Sequence, residues 1–438
     1  MQLCHRGDHS ALIKSASPLR LDLRQAGRHH QPIPPMNTPR LAVFLLALVS
    51  AGLACAQPAT NAANGAVQVV SPEVAADRSI TFRLYAPNAQ SVTLNGDFFA
   101  SNNSNGPALT KASNGVWSHT VPPQPPGVHG YYFRMDGLRL PDPSNLLVSS
   151  STEFLKSYVE VPGDATQFTA VREVPHGQLH EVWYKNASLG QRRVVIYTPP
   201  GYDPAAARAY PAIYLLHSTT DNETFWSRIG RVNFILDNLL ADGKAKPMLL
   251  VMPFGHVSVP RGPEEGAGGN DLYDVAVIGK DIVENIIPFV EKQFHAGRSP
   301  ADRAIFGMAM GGYQAITIGM NYAGTFSYVT ATSANFRANM DLAANFKNLN
   351  VDAAKRDIKY LTMMAGNAES GSFPQSTRVI EYFTGLGLKN EWMTPEGTHT
   401  WHSWRGYIRE MFERKFFSDD PYAAPKITGG PAANAPAR

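Results

Sequence analysis

The sequence predicts a β-sandwich followed by an α/β domain built on a parallel sheet, in a chain of 438 residues. Three observations carry this. Between residues 67 and 162, short alternating segments are separated by turn residues. From Glu173 onward, continuous apolar runs alternate with segments of helical spacing, as strands buried on both faces and their crossover helices require. One glycine-rich turn, "FGMAMGGYQA" at residues 306–315, joins such a strand to such a helix.

The stretch before this fold has its own texture. Residues 1–35 are polar, patternless and rich in Arg and His. Met36 and Arg40 then make a short positive segment, Leu41 to Ala51 an apolar core, and Ala54-Cys55-Ala56 an A-x-A cleavage signal. The expectation is a signal peptide over 36–56, an over-long gene start over 1–35, and a secreted or periplasmic product with no membrane span in the mature chain. The apolar run is short for a bilayer span, and Gly52 stands where lipidation of Cys55 would require leucine. Cys4 and Cys55 are the two cysteines and both precede the cut, so a chain starting at Gln57 has no thiol chemistry. Residues 57–66 are a small-residue linker.

Charge excludes other classes. The formal net charge of +3 is small for this length, and much of the basic excess lies in the first forty residues. No basic run is interleaved with aromatics, so no nucleic-acid partner is expected. His5, His29 and His30 lie in the leader, and no metal-ligand spacing occurs elsewhere; neither metal nor cofactor is expected. The oligomeric state is left open.

Within the sandwich, "SITFRLYAP", "SVTLNGDF" and "GVWSHTVPPQPPGVHGYYFRMDG" supply the alternating strands. Trp117, Tyr131 and Tyr132 suit either a core or a surface that stacks on sugars, and alternating strands favour the core. In the second domain, "RRVVIYTPPGY", "YPAIYLLHS", "PMLLVMPFGH", "DRAIFG", "IKYLTMMAGN" and "NEWMTPEG" read as strands. "VNFILDNLLADG", "DVAVIGKDIVENIIPFVEKQF", "GYQAITIGMNYA", "STRVIEYFTGLGL" and "WRGYIREMFERKFF" read as helices. "GPEEGAGGND" at 262–271 lacks the Lys and Ser/Thr of a phosphate loop and reads as a mobile loop over the cleft. Residues 421–438, rich in Pro, Ala and Gly, read as a disordered tail.

A nucleophile elbow needs a strand before it, a helix after it, and glycines that let the two pack closely. Gly307, Gly311 and Gly312 meet that need, but Ala309 occupies the nucleophile position. An acid should follow on a later strand and a histidine on the loop before the last helix. Glu369, just past "YLTMMAG", and His399, in "EGTHTWHSWRGY", stand in that order; His402 lies in the same loop. Taken singly, Glu369 is an ordinary loop carboxylate and His399 a packed histidine. The chain order of all three gives them weight.

These words resemble known families. "FRLYAPNAQSVTLNGDF" with "GVWSHTV" and "GYYFRMDG" is similar to the early-set, family-48 carbohydrate-binding module over residues 67–162. "YLLHS", "DNETFW", "NFILDNLLADGKAKPMLLVMPFGH", "FGMAMGGYQA" and "GTHTWHSWR" resemble the esterase D/carbohydrate esterase family 1 group over about residues 177–418, within a hydrolase domain expected over 173–420. That group includes feruloyl, acetyl-xylan and enterochelin-type esterases. The resemblance implies an α/β-hydrolase preceded by an immunoglobulin-like sandwich, acting on small-molecule or oligosaccharide esters. It implies Ala309 as the lost serine, Glu369 as acid, His399 as base, and an oxyanion hole at Met310 and around Ser218 and Thr219. Trp226, Trp401 and Trp404 are the expected substrate-binding residues.

This chain departs from the group at the site itself. The group has Ser, Asp, "L-L-H-G" and "G-G-H" where this chain has Ala309, Glu369, Leu215-Leu216-His217-Ser218 and Gly397-Thr398-His399. The expected protein is an inactive or strongly impaired homologue, with retained ligand binding left open. Two alternatives stand beside it: a hydrolase with a displaced nucleophile (Thr219, Thr220 or a water activated by His399), and a carbohydrate-binding protein whose sandwich carries the function.

Overall fold

The structure, a computed structural model, describes residues 67–99, 106–149, 155–257 and 274–423. The expected gene-start segment, signal peptide and linker, and the loop at 262–271, lie outside the described residues.

The sandwich forms where the alternating pattern placed it. One sheet orders its strands Glu73–Val74, Ile80–Tyr85, Val116–Val121 and Thr110–Lys111. The other runs Val92–Gly96, Gly127–Met135, Lys156–Val161 and Val148–Ser149, with Leu138–Leu140 also paired to Gly127–Met135. Inward-facing Ile80, Phe82, Leu84, Leu94 and Phe133 fill the space between them. Trp117 and Tyr131 belong to this core, and Tyr132 is buried as well. The Trp117 indole donates to the Ala86 carbonyl at 2.9 Å, and the Tyr131 hydroxyl donates to Asp142 at 2.8 Å. The sugar-stacking alternative for these three rings therefore fails on burial.

The sheet of the second domain has eight strands: β1 (Gln178–Asn186), β2 (Gly190–Thr198), β3 (Ala212–Leu216), β4 (Leu249–Pro253), β5 (Arg303–Met308), β6 (Tyr328–Thr332), β7 (Tyr360–Met364) and β8 (Glu391–Met393). Their order is β1-β2-β4-β3-β5-β6-β7-β8. From β4 to β8 all pairings are parallel, but β1 and β2 form an antiparallel hairpin and β2 meets β4 antiparallel. That corrects the wholly parallel expectation. The edge strand β1 escapes sequence reading because its outer positions stay exposed, Trp183 at 62%. Strand β6, "YVTAT", is also new; its threonines disguise a fully buried strand, and Thr330 bonds back to the Ile305 carbonyl at 3.2 Å.

Helices cover both faces: α1 (Val232–Ala241), α2, α3 (Met310–Asn321), α4 (Ser372–Gly385) and α5 (Trp401–Glu410). Helix α2 spans Val275–Asp281, a π-helical turn at Ile282–Ile286, and Ile287–Gln293. The chain stays packed past the expected tail boundary. Pro421 is buried, and the Tyr422 hydroxyl receives the Leu361 N–H at 3.1 Å.

Two glycines are demanded by close approach. A Cβ on Gly307 would lie 2.0 Å from the Gly311 carbonyl oxygen, and one on Gly311 would lie 2.3 Å from that of Leu216. Helix α3 thus sits almost backbone to backbone on β3 and β5.

The two domains pack through a part-buried charge pair. Arg405 of α5, 2% exposed, donates to both carboxylate oxygens of Glu160 from the sandwich, at 2.9 and 2.6 Å. Burial pushes the Glu160 carboxyl up, but the bonds and charge of Arg405 outweigh it and leave the group below its ordinary value. Beside the pair, the rings of His129 and His402 stack at 6.3 Å. Burial holds the His402 imidazole down to about 4, with His129 and Arg405 reinforcing the shift and Glu160 opposing it. Burial lowers His129 as well.

Folding therefore favours neutral imidazoles here. Their contribution is complete above the ordinary 6.5 and is lost as pH falls from there toward 4. Thermal melting of the protein should fall across that window, and His402→Gln should flatten the decline. Gly311→Ala should destabilise the protein by about 3 kcal/mol or more, measured by urea denaturation, because the obstructing atoms are backbone.

Candidate active site

The elbow has the geometry its glycines predict. Ala309 joins β5 to α3 at φ 51° and ψ −115°, a conformation that costs a non-glycine residue roughly 1–3 kcal/mol. Three bonds hold it there. Its N–H donates to the Thr332 carbonyl at 3.1 Å, and its carbonyl accepts from Tyr313 N–H at 3.1 Å and Asn335 N–H at 3.0 Å. Met310 opens the helix, so its N–H has no intrahelical acceptor and lies at the positive end of the helix dipole. Ala309 and Met310 are fully buried.

The structure brings the predicted acid and base together. Glu369 Oε2 lies 3.0 Å from His399 Nδ1, and the glutamate is 5% exposed. Ser333 donates to Oε1 at 2.7 Å, Gly366 N–H to Oε1 at 2.9 Å, and Ser372 to Oε2 at 2.8 Å. Burial pushes the carboxyl up; the bond and charge of His399, with the Ser333 and Gly366 donors, more than offset it and hold the group below its ordinary value. An ionised Glu369 fixes the His399 ring by its Nδ1 side.

Ser218 and Thr219 reach the same place. They line a cavity of about 310 Å³ together with Thr220, Asp221, Asn335, His399, Trp401 and Trp404. The preceding residue explains the shape of this loop. His217 is fully buried, and its imidazole is held down to about 3, first by burial and then by the His256 charge. Gly255 N–H donates to His217 Nε2 at 2.8 Å, which leaves the Nδ1 proton to bond the Ser218 carbonyl at 2.8 Å. A neutral imidazole therefore orients the Ser218 peptide.

Not every predicted contact forms. Trp401 and Trp404 border the cavity, and the Trp404 indole also donates to Ser333 at 2.9 Å. Trp226, by contrast, is fully buried between Phe306 and Trp401, meeting the latter edge-on at 5.3 Å. It supports Trp401 from beneath and has no surface for a ligand, which corrects its assignment as substrate-binding. His402 belongs to the domain joint. Sequence reasoning missed Ser333, Ser372 and His217. The positive φ of Ser333, 51°, turns its hydroxyl toward Glu369, and no sequence spacing links positions 333 and 369.

On the far side of His399 a second cavity of about 830 Å³ is lined by Tyr313, Phe336, Arg337, Met340, Glu369 and Ser372, among others. Ala309 lines neither cavity. Among the described residues, no cluster of side chains suited to hold a metal ion occurs, and no helix is long and apolar enough to cross a membrane.

Glu369→Ala would strand three donors and His399 Nδ1 in a buried site. A loss of about 2–4 kcal/mol is expected in chemical denaturation.

Comparison with known proteins agrees with this layout. A family profile described as "Putative esterase" matches residues 186–414, and one described as "Carbohydrate-binding module 48 (Isoamylase N-terminal domain)" matches residues 69–150. An endo-1,4-beta-xylanase/feruloyl esterase of Xylanibacter ruminicola is 28% identical over 353 residues, covering 79% of this chain and 46% of that protein. An esterase of Mycobacterium tuberculosis is 25% identical over 174 residues, covering 38% of this chain and 36% of its own length. The chain thus spans less than half the length of these curated relatives. Among solved structures, the enterobactin esterase of Shigella flexneri, in the presence of enterobactin, superposes with a TM-score of 0.56 at 16% identity, covering 76% of this chain and 91% of that one. A CE1 ferulic acid esterase of Anaeromyces mucronatus, in complex with ferulic acid, gives 0.50 at 20% identity, covering 58% and 96%. At these identities the structural likeness is one of fold. With the esterase profile spanning more than half of its residues, and elbow, acid and histidine in hydrolase order, the chain belongs to the putative esterase family, as an α/β-hydrolase with an N-terminal family-48 sandwich.

Proposed function

We propose that this protein binds carboxylic esters of carbohydrates, such as feruloyl or acetyl esters of xylan, and hydrolyses them poorly or not at all. Ala309 at the elbow carries the reading. Without an Oγ no acyl-enzyme forms, and removing the nucleophile from comparable sites costs on the order of 10⁶ in rate. The rest of the site supports binding. Glu369 and His399 stay paired, and the Ser218–Thr219 loop is anchored by His217.

His399 borders two cavities, the first also lined by Arg337, Glu369 and Ser372 and the second also by Tyr158, Phe225, Trp401 and Trp404. One offers Tyr313, Phe336 and Met340; the other offers Ser218, Thr219, Thr220, Asp221 and, from the sandwich, Asp97 and Lys156. An ester with an aromatic acyl group and a polyhydroxyl alcohol would match both. The signal-peptide pattern at 36–56 supports export to where such esters occur. A second reading, hydrolysis by Thr219, Thr220 or a water activated by His399, draws on those hydroxyls lining the same cavity as His399.

Assays of methyl ferulate and p-nitrophenyl acetate hydrolysis on the wild type and on Ala309→Ser separate the two. The wild type should show no burst, and Ala309→Ser should show slow but measurable turnover. A wild-type burst near one equivalent would sink the first reading. No gain from the serine would mean that His399 or the oxyanion loop is misplaced for attack.

A further inference from the structure

We propose that Asp221 recognises the alcohol half of the ligand, sharing a hydrogen bond with a hydroxyl of a single sugar unit in the polar cavity beside His399. This rests on the ester-binding reading above. Asp221 follows β3 in the loop 217–224, where its N–H donates to the Ser218 carbonyl at 3.0 Å. The residue is 3% exposed, and its Oδ2 has no hydrogen-bond partner. The same side chain lines the cavity with His399, Trp401 and Lys156.

The other acidic side chains of the region are each matched. Glu369 is met by Ser333, Ser372, Gly366 and His399. Glu160 is met by Arg405, Glu223 by Arg193, and Asp97 by Lys156 at 3.1 Å and Gly130 N–H at 2.8 Å. A buried acceptor left unmatched is penalised heavily relative to a matched one, so an unmatched oxygen on a side chain that lines a cavity points to a partner that arrives from outside. Burial pushes the carboxyl up to about 7, against the pull of Lys156, the Ser218 backbone, Trp401 and Thr220. Near neutral pH the group can therefore serve a hydroxyl as acceptor or as donor.

The surroundings select the ligand. At about 310 Å³ the cavity is at the small end of ligand pockets, sized for one ring rather than a chain. Trp401 supplies an aromatic edge, and Asp97, Ser149 and Lys156 from the sandwich supply the polar far wall.

Isothermal titration of the full-length protein with two esters sharing an acyl group, 5-O-feruloyl-arabinose and methyl ferulate, tests this. The wild type should bind the arabinose ester more tightly. Asp221→Ala should weaken that ester by roughly tenfold or more while leaving methyl ferulate within about twofold, and Asp221→Asn should lose less. Because the Oδ2 has no protein partner, Asp221→Asn should melt no lower than the wild type. Equal weakening of both esters, no weakening of the arabinose ester, or a marked fall in melting temperature for Asp221→Asn would each overturn the assignment. If the wild type binds neither ester, the ester-binding reading fails and this one with it; if methyl ferulate binds and Asp221→Ala changes nothing, this one alone falls.

Discussion

The backbone crossing at Gly307 and Gly311 is the constraint on which the site depends. Only hydrogen at those two positions lets α3 sit against β3 and β5, with Leu216 and His217 carbonyls 2.3 and 2.6 Å from where a Cβ on Gly311 would be. That contact sets the sharp turn at Ala309, points the Met310 N–H outward from the helix start, and brings the end of β3 beside the elbow. The Ser218 peptide then needs one further support, which His217 supplies as a neutral donor. Three separate stretches of chain are thereby held at one end of the sheet before any reacting group is considered.

Electrostatics complete that frame. The site holds one carboxyl, Glu369, below its ordinary value by surrounding it with donors, and leaves another, Asp221, raised because burial outweighs the donors and the Lys156 charge near it. Two buried acids of the same cleft are thus driven in opposite directions by hydrogen bonding and desolvation. The pairing of Glu369 with His399 is stabilised by Ser333, Ser372 and Gly366, with no contribution from the side chain at position 309.

The sandwich takes part in the cleft through chain packing. Arg405 lies in the helix that follows His399, and its bidentate contact with Glu160 fixes the sandwich against that helix. Asp97, Ser149 and Lys156 consequently border the cavity that also holds Ser218, Thr219 and His399. Trp117, Tyr131 and Phe133 of the same domain turn inward, since each strand of a sandwich has one face to bury.

Local pattern determined much of this protein. Apolar runs placed the central strands and glycine spacing placed the turn between β5 and α3, because each depends on residues near one another in sequence, while chain order made Ala309, Glu369 and His399 the candidates. Tertiary structure decided the rest. The edge strand β1 and the threonine-rich β6 became strands only by pairing with neighbours, and Trp226 became core because Phe306 and Trp401 enclose it. Ser333 came to serve Glu369, and Asp221 to face the cleft, through contacts across tens of residues. Which buried polar atoms find partners depends on distant elements packing together, and no spacing along the chain carries that information.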